Sequence, residues 1–457
     1  MATIESPASR RDVLAGSVGG ALIAATGAFS RAAFGAVPAS HFPSGFHWGA
    51  ATAAHQIEGN NVNSDLWFME TVQPQTFADR SGDADDSYHR WDDDVALLRA
   101  IGLNAYRFSV EWARIEPIRG EFSQAELDHY ARCIAALHRA GIAPVVTFFH
   151  SSAPRWFAEA GGWLNPESPD LFAHYCDKVA RFLGDGMAYA CTINEPQVGL
   201  TYRIVAAGSD YFKKQDALQL RAHAEAARRA GVERFVTVNH PDIKGMTPQL
   251  LAAHVKSFAA IKAARPRLPT GVTLNLVDFQ PATSASPYLA LREAAYGEWM
   301  AAAKAHGDFV GVQTYRQVQI PGSGAPLPPL PDMPFVDRSN MGELIKQPSA
   351  LRNTVEYAHA KTGLPVFVTE NGLDSDDDRR RAWYIPKALA GLREAIAKGV
   401  PVIGYMHWSL IDNFEWQQGY KPKFGLASVD RTTFKRTLKP SAAIYRAIAR
   451  GQALRTA

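Results

Sequence analysis

The sequence is poor in cysteine. Cys133, Cys176 and Cys191 are the only three in a chain of 457 residues. Three thiols cannot build a disulfide framework, and none falls in a C-x-x-C or C-x-x-H spacing that would hold a structural zinc. All three are expected to be buried thiols. Charge of one sign is lacking too. The 48 basic residues nearly balance the 45 acidic ones, leaving +3, so no basic field advertises a nucleic-acid partner. Beyond the first forty residues no apolar run approaches the roughly 20 residues of a membrane span. Internal repeats, a domain linker, a metal-ligand cluster and a Gly-rich phosphate turn are likewise missing, so no cofactor or metal is expected. What is present is an ordinary globular balance, 47% hydrophobic and 20% charged, which excludes a disordered chain, a coiled coil and a collagen-like fibre. Aromatic residues reach 11%; they line concave ligand sites and also fill cores.

The first 39 residues read as an address. Arg10-Arg11 precede a weakly apolar, Ala- and Gly-rich stretch from Val13 to about Phe29, and small residues follow through Ala39. The order charged, apolar, small predicts a signal peptide, and the arginine pair points to twin-arginine export. A chance pair before a short membrane anchor is the alternative. Cleavage falls after Gly35 or Ala39. That route carries folded proteins, which agrees with a periplasmic or secreted product without disulfides. Residues 40–457 then form one catalytic domain.

Eight short apolar runs punctuate that domain: Phe46–Ala54, Ala105–Val110, Ala143–Phe149, Met187–Ile193, Gly271–Leu276, Phe309–Thr314, Pro365–Thr369 and Val402–Trp408. Helical patterns separate most of them, as at Asp92–Ala100 and Gln124–Ala140, which end at Gly102 and Gly141. Near-continuous apolar strands alternating with helices imply a parallel sheet covered on both faces. Eight such units imply an α/β fold, a single (β/α)8 TIM barrel. A doubly wound open sheet is the alternative, but Gly49-Ala50-Ala51-Thr52 is not the phosphate turn it would carry. Two long loops are expected, after strand four (Gln197–Met246) and strand six (Gln317–Pro348). Both leave strand C-termini, where barrel enzymes build their sites.

Two glutamates stand at strand ends. Glu195 lies in Thr192-Ile193-Asn194-Glu195-Pro196 and Glu370 in Thr369-Glu370-Asn371-Gly372. A closed barrel brings both to one rim, and a carboxyl pair flanking a scissile bond is the equipment of glycoside hydrolysis. By contrast, Asp376-Asp377-Asp378 beside Arg379-Arg380-Arg381 reads as a solvated loop.

With these motifs the chain resembles glycoside hydrolase family 1, the β-glucosidase-type retaining glycosidases, from about Phe46 onward. The run from Phe46 to Gly59, Tyr106-Arg107-Phe108-Ser109, the two Glu motifs, Trp408-Ser409-Leu410, Asp412-Asn413-Phe414-Glu415-Trp416 and Phe424-Gly425-Leu426 carry the resemblance. The resemblance implies that Glu195 is the acid/base and Glu370 the nucleophile, with Arg107 and Tyr315 contacting the nucleophile. It implies that Gln56, His150, Asn194, Trp408, Glu415, Trp416 and Phe424 hold the sugar of a β-glycoside substrate. The Glu415-Trp416 pair, with Lys421 and Lys423 beyond it, is not the phosphate grip of the phospho-sugar members. Retention of Glu195 separates the chain from the thioglucosidases.

Departures from the family pattern shape the expected specificity. Ser151 and Ser152 stand where Trp and Asp are usual, Gln313 where Asn is usual, Thr314 where Tyr is usual, and His55 where Tyr is usual. Loss of that Trp predicts an opened pocket that admits a modified sugar. Galactosidase- or fucosidase-type specificity is an alternative, and a catalytically weakened carbohydrate-binding barrel is another. The oligomeric state is left open.

Overall fold

The computed structural model describes residues 41–205, 210–322 and 347–451. The expected export signal lies outside the described residues, as do residues 323–346 of the connection after the sixth apolar run.

Twelve strands occur among the described residues. In chain order they are β1 (His47–Ala51), β2 (Ala105–Ser109), β3 (Ala143–Phe149), β4 (Tyr189–Asn194), β5 (Thr270–Asn275), β6 (Asp278–Pro281), β7 (Phe309–Gln313), β8 (Gln317–Ile320), β9 (Val366–Asn371), β10 (Val402–Trp408), β11 (Ala427–Val429) and β12 (Arg436–Leu438). Eight of them close a parallel barrel in the order β1-β10-β9-β7-β5-β4-β3-β2. These eight coincide with the eight apolar runs. Their near-continuous hydrophobicity has a direct cause, since almost every residue is buried either inside the barrel or against helices. Inside, Val145, Tyr189, Cys191, Phe309, Phe367 and Met406 pack into one cluster. The barrel is thus a filled core and not a pore.

The polar layer follows at the strand C-termini, and the register aligns it. Asn194 of β4 sits beside Thr273 of β5. Asn275 of β5 sits beside Gln313 of β7, and Gln313 beside Glu370 of β9. Gly372 follows at a close approach of two strands: a Cβ there would lie 1.9 Å from the Trp408 carbonyl oxygen. The glycine of Thr369-Glu370-Asn371-Gly372 is therefore what lets the β9 and β10 ends converge.

Several local expectations change. The first run is a strand only to Ala51; the Ala54 N–H turns to the Ser109 hydroxyl (2.8 Å) and a helical turn begins. The long connection after β4 is largely helical, with Val198–Val205 and Asp210–Ala230 before the long helix Ile243–Ala264. Its Ala-rich, charged sequence supplies the propensity, and Ala222, His223, Ala226 and Ala227 supply the buried stripe. The acidic run is solvated only in part: Asp376, Arg379 and Arg380 are exposed, while Asp377 and Asp378 are drawn into a helix start. Asp377 caps the helix Asp378–Ala397 through the Arg379 N–H. Asp378 pairs with the buried Arg381 and accepts from the Ser441 N–H and hydroxyl, both at 2.7 Å. At a helix start carboxylates accept from the free N–H groups and meet cations of the first turn. The three cysteines are free and buried, as expected.

Candidate active site

Arg107 organises the centre. It is fully buried in β2, where an unpaired charge would be prohibitive. Its three nitrogens are all used. Nε donates to Thr147 Oγ1 (3.0 Å), Nη1 to Glu370 Oε1 (2.5 Å) and Nη2 to Asn194 Oδ1 (2.6 Å). Glu370 receives two further donors, Gln313 Nε2 on Oε1 (2.9 Å) and the Tyr315 hydroxyl on Oε2 (2.6 Å).

Asn194 has its orientation decided for it. Its Oδ1 meets Arg107, Gln313 (2.7 Å) and Thr273 (3.2 Å), so its Nδ2 must donate, and it does so to His150 Nε2 (3.0 Å). His150 is neutral, because burial and the Arg107 charge push it well below its ordinary value. Its hydrogen is then on Nδ1, which is buried without a partner.

Glu195 is held differently from Glu370. Among the described residues its carboxyl receives one hydrogen bond, from Asn275 Nδ2 to Oε1 (2.7 Å). Burial and the neighbouring Glu370 push it up to about 8, while Asn275 and Arg107 oppose the rise. Burial also lifts Glu370, and Arg107 and Tyr315 counter that lift. Three donors on one carboxyl and one on the other settle the proton: the pair carries it on Glu195.

A cavity of about 190 Å³ opens above the pair. Its walls include Glu195, Glu370, Tyr315, His150, Asn194, Trp408, Glu415, Trp416 and Phe424. Trp408 Nε1–H donates to Glu415 Oε1 (3.1 Å), and burial pushes Glu415 up to about 8. Trp416 is stacked against His55 (5.9 Å, 8°) and His150 (5.9 Å, 27°). Two of the expected site residues do not line the cavity. Arg107 acts from beneath it. Gln56 is fully buried, donating to the Asn413 side chain (3.1 Å) and the Phe414 carbonyl (2.7 Å), with Oε1 unpartnered.

The departures also separate. Ser151 lines the cavity in a left-handed conformation, φ 69°. Glu195 (φ 47°) and Trp416 (φ 53°) share that region. Three walls of one cavity thus hold backbone that non-glycine residues avoid, the kind of strain that accumulates at functional sites. Ser152 instead donates to Glu111 (2.7 Å), and Thr314 pairs with Thr354 (2.6 Å). Neither lines the cavity.

Two carboxyls on barrel strand ends, the buried Glu370 held by a guanidinium and the half-buried Glu195 protonated, now stand together with the sequence motifs. The profile of glycosyl hydrolase family 1 matches residues 39–311 and 330–453. The chain belongs to that family. Thermostable beta-glucosidase B of Thermobispora bispora is 32% identical over 91% of this chain and 92% of its own. A bifunctional beta-D-glucosidase/beta-D-fucosidase of Bifidobacterium breve is 31% identical over 89% and 97%. The crystal structure of beta-glycosidase BGL167 superposes with a TM-score of 0.82 at 42% identity, over 91% of this chain and 99% of that one. This family 1 protein is therefore a glycosidase that hydrolyses O-glycosyl bonds, a retaining enzyme acting on β-glycosides.

Residues the motifs did not single out also face the family 1 cavity. They include Tyr202, Asn275, Arg316 and Asp374. Asn275 had only a partial signal: it is a polar residue inside the apolar run Gly271–Leu276, and the structure is what ends the strand at it. Tyr202 had none, since it comes from a helix inside a segment expected to be loop.

Proposed function

We propose that this family 1 glycosidase is an exported, exo-acting β-glucosidase-like enzyme in which Glu370 is the nucleophile and Glu195 the general acid/base. The observation that carries the assignment is the asymmetry of the two carboxyls. Glu370 accepts from Arg107, Gln313 and Tyr315, which favours the carboxylate needed for attack on the anomeric carbon. Glu195 has a single donor and keeps its proton to about pH 8, which suits protonation of the leaving oxygen. Attack by Glu370 forms a covalent glycosyl-enzyme and consumes its negative charge. Glu195, now a carboxylate, deprotonates the water that releases the sugar with its original configuration.

The substrate roles follow from the atoms left over. His150 lines the cavity, and its Nδ1–H, without a protein partner, matches a hydroxyl of the terminal sugar. Trp408 offers a flat face to the apolar side of the ring. A cavity of about 190 Å³ with Trp408, Glu415, Trp416 and Phe424 on its walls suits a terminal sugar ring, which favours exo cleavage. Ser151 on its wall supports a sugar carrying an extra substituent. Export to the periplasm or medium is supported by Arg10-Arg11 and the apolar stretch behind them.

A panel of aryl β-glycosides (glucoside, galactoside, fucoside, xyloside, glucuronide and 3-substituted glucosides) tests this reading, with wild type beside Glu370→Gln and Glu195→Gln. Glu370→Gln is expected to lose about 1,000-fold or more on every substrate. Glu195→Gln should lose most on poor leaving groups and retain turnover of a dinitrophenyl glycoside when azide replaces water. Equal release of chromophore by wild type and Glu370→Gln refutes the assignment.

A further inference from the structure

Glu195 is tied to β5 twice. Its backbone N–H donates to the Thr273 carbonyl (2.9 Å), and its Oε1 accepts from Asn275 Nδ2 (2.7 Å). Asn275 is itself buried and its backbone is held. The register sets it beside Gln313, and its backbone carbonyl accepts from Gln197 Nε2 (2.7 Å). Gln197 lies two residues beyond Glu195, so the backbone on both sides of the glutamate is clamped to the same strand end. The left-handed backbone of Glu195 (φ 47°) turns its side chain out of the strand direction, and Asn275 receives it there.

An amide nitrogen only donates. The Glu195 oxygen facing it must accept in both protonation states, so the acidic hydrogen is carried by the other oxygen. The bond is also stronger to a carboxylate than to a neutral acid, since charge-assisted hydrogen bonds are roughly twice as strong. We infer that Asn275 is the positioning residue of the acid/base: it confines the transferable proton to Glu195 Oε2 and holds Glu195 as a carboxylate while the glycosyl-enzyme awaits water. The inference rests on the assignment of Glu195 above.

The steps balance as follows. In the first, a Glu370 oxygen bonds to the anomeric carbon, the bond from that carbon to the aglycone oxygen breaks, and the proton on Glu195 Oε2 passes to that oxygen. In the second, a water oxygen bonds to the anomeric carbon, the Glu370 ester bond breaks, and the water proton returns to Glu195. Asn275 favours the state between the two. Other groups also act on Glu195. Glu370 raises it and Arg107 lowers it. Tyr202 and Tyr315 feel its charge. Arg316, Glu415, His150 and Asp374 share the cavity wall. Asn275 is the one among the described residues that hydrogen-bonds its carboxyl.

The test compares wild type with Asn275→Leu, which removes both amide groups, and Asn275→Asp, which keeps the shape and removes the donor. The alkaline limb of kcat/KM is expected to move up by about one pH unit in both. Turnover of a dinitrophenyl β-glycoside, limited by the water step, should fall about tenfold at neutral pH. Loading of Glu370 by a 2-deoxy-2-fluoro dinitrophenyl glycoside needs no acid and should change less than about threefold. Asn275→Gln, which restores a donor, should recover part of the loss. An alkaline limb that stays in place, or loading that falls as far as turnover, overturns the inference. If Asn275→Leu does not fold, Asn275→Asp carries the test alone. A wild type without glycosidase turnover refutes the reading of the site itself; an active wild type with unmoved variants refutes only the role of Asn275.

Discussion

Replacing Tyr315 with Phe removes one atom from the surroundings of Glu370, the proposed nucleophile, and leaves the ring in place. The two oxygens of Glu370 are unequally served. Arg107 and Gln313 both donate to Oε1, at 2.5 and 2.9 Å, and the Tyr315 hydroxyl alone donates to Oε2, at 2.6 Å. The variant therefore strips Oε2 of its protein donor inside a buried cavity. A hydrogen bond to a charged group is worth about 1.5–3 kcal/mol and one to a neutral group about 1. The difference, roughly 0.5–2 kcal/mol, is about 0.4–1.5 pKa units. The sign follows from the required state. Glu370 must be ionised to attack, so a higher pKa moves the acid limb of kcat/KM to higher pH. The alkaline limb reports Glu195, near pH 8, and should stay nearly in place. At neutral pH the loss should be about 10- to 100-fold, the oxygen that attacks having lost its orienting donor. The assay is a pH profile on an aryl β-glucoside, with thermal unfolding as a check that the fold is intact. An acid limb that does not move, or one that moves down, refutes the claim that the phenol stabilises the Glu370 carboxylate.

Two further outcomes follow from the pocket and the leader. Ser151→Trp is expected to shift preference several-fold toward unsubstituted glucosides, because a large ring would refill that wall; an unchanged ranking in competition assays removes the idea of a decorated sugar. Arg10→Lys with Arg11→Lys should hold full-length enzyme in the cytoplasm while wild type reaches the periplasm or medium; equal fractionation of the two refutes twin-arginine export.

The barrel was legible because parallel strands covered on both faces are written as short, nearly unbroken apolar runs. Each of the eight falls on a run read from the residues, and the shifts at Phe46–Ala54 and Met187–Ile193 are end effects, where capping by Ser109 and a short 3-10 turn compete with strand geometry. Glu195 and Glu370, proposed above as the catalytic pair, stood out in the sequence because they end such runs next to turn residues. The connection after β4 was not legible, since the buried stripe of Asp210–Ala230 is mostly alanine and gives little of the apolar periodicity that marks a helix. Within the acidic run, Asp378 and Arg381 were misread because charge alone does not show that they meet one turn apart on a helix and that Arg381 then reaches the carbonyls of Leu373, Ser375 and Lys423.

From the sequence alone came the strand periodicity, the motif residues and the chemistry those residue types permit, since these are local properties of neighbouring side chains. The tertiary structure decided which carboxyl keeps the proton. That depends on three donors reaching Glu370 from β2, β7 and the turn after β7, and on one reaching Glu195 from β5. Closure of the barrel brings these groups within hydrogen-bond distance, and burial gives that distance its electrostatic force.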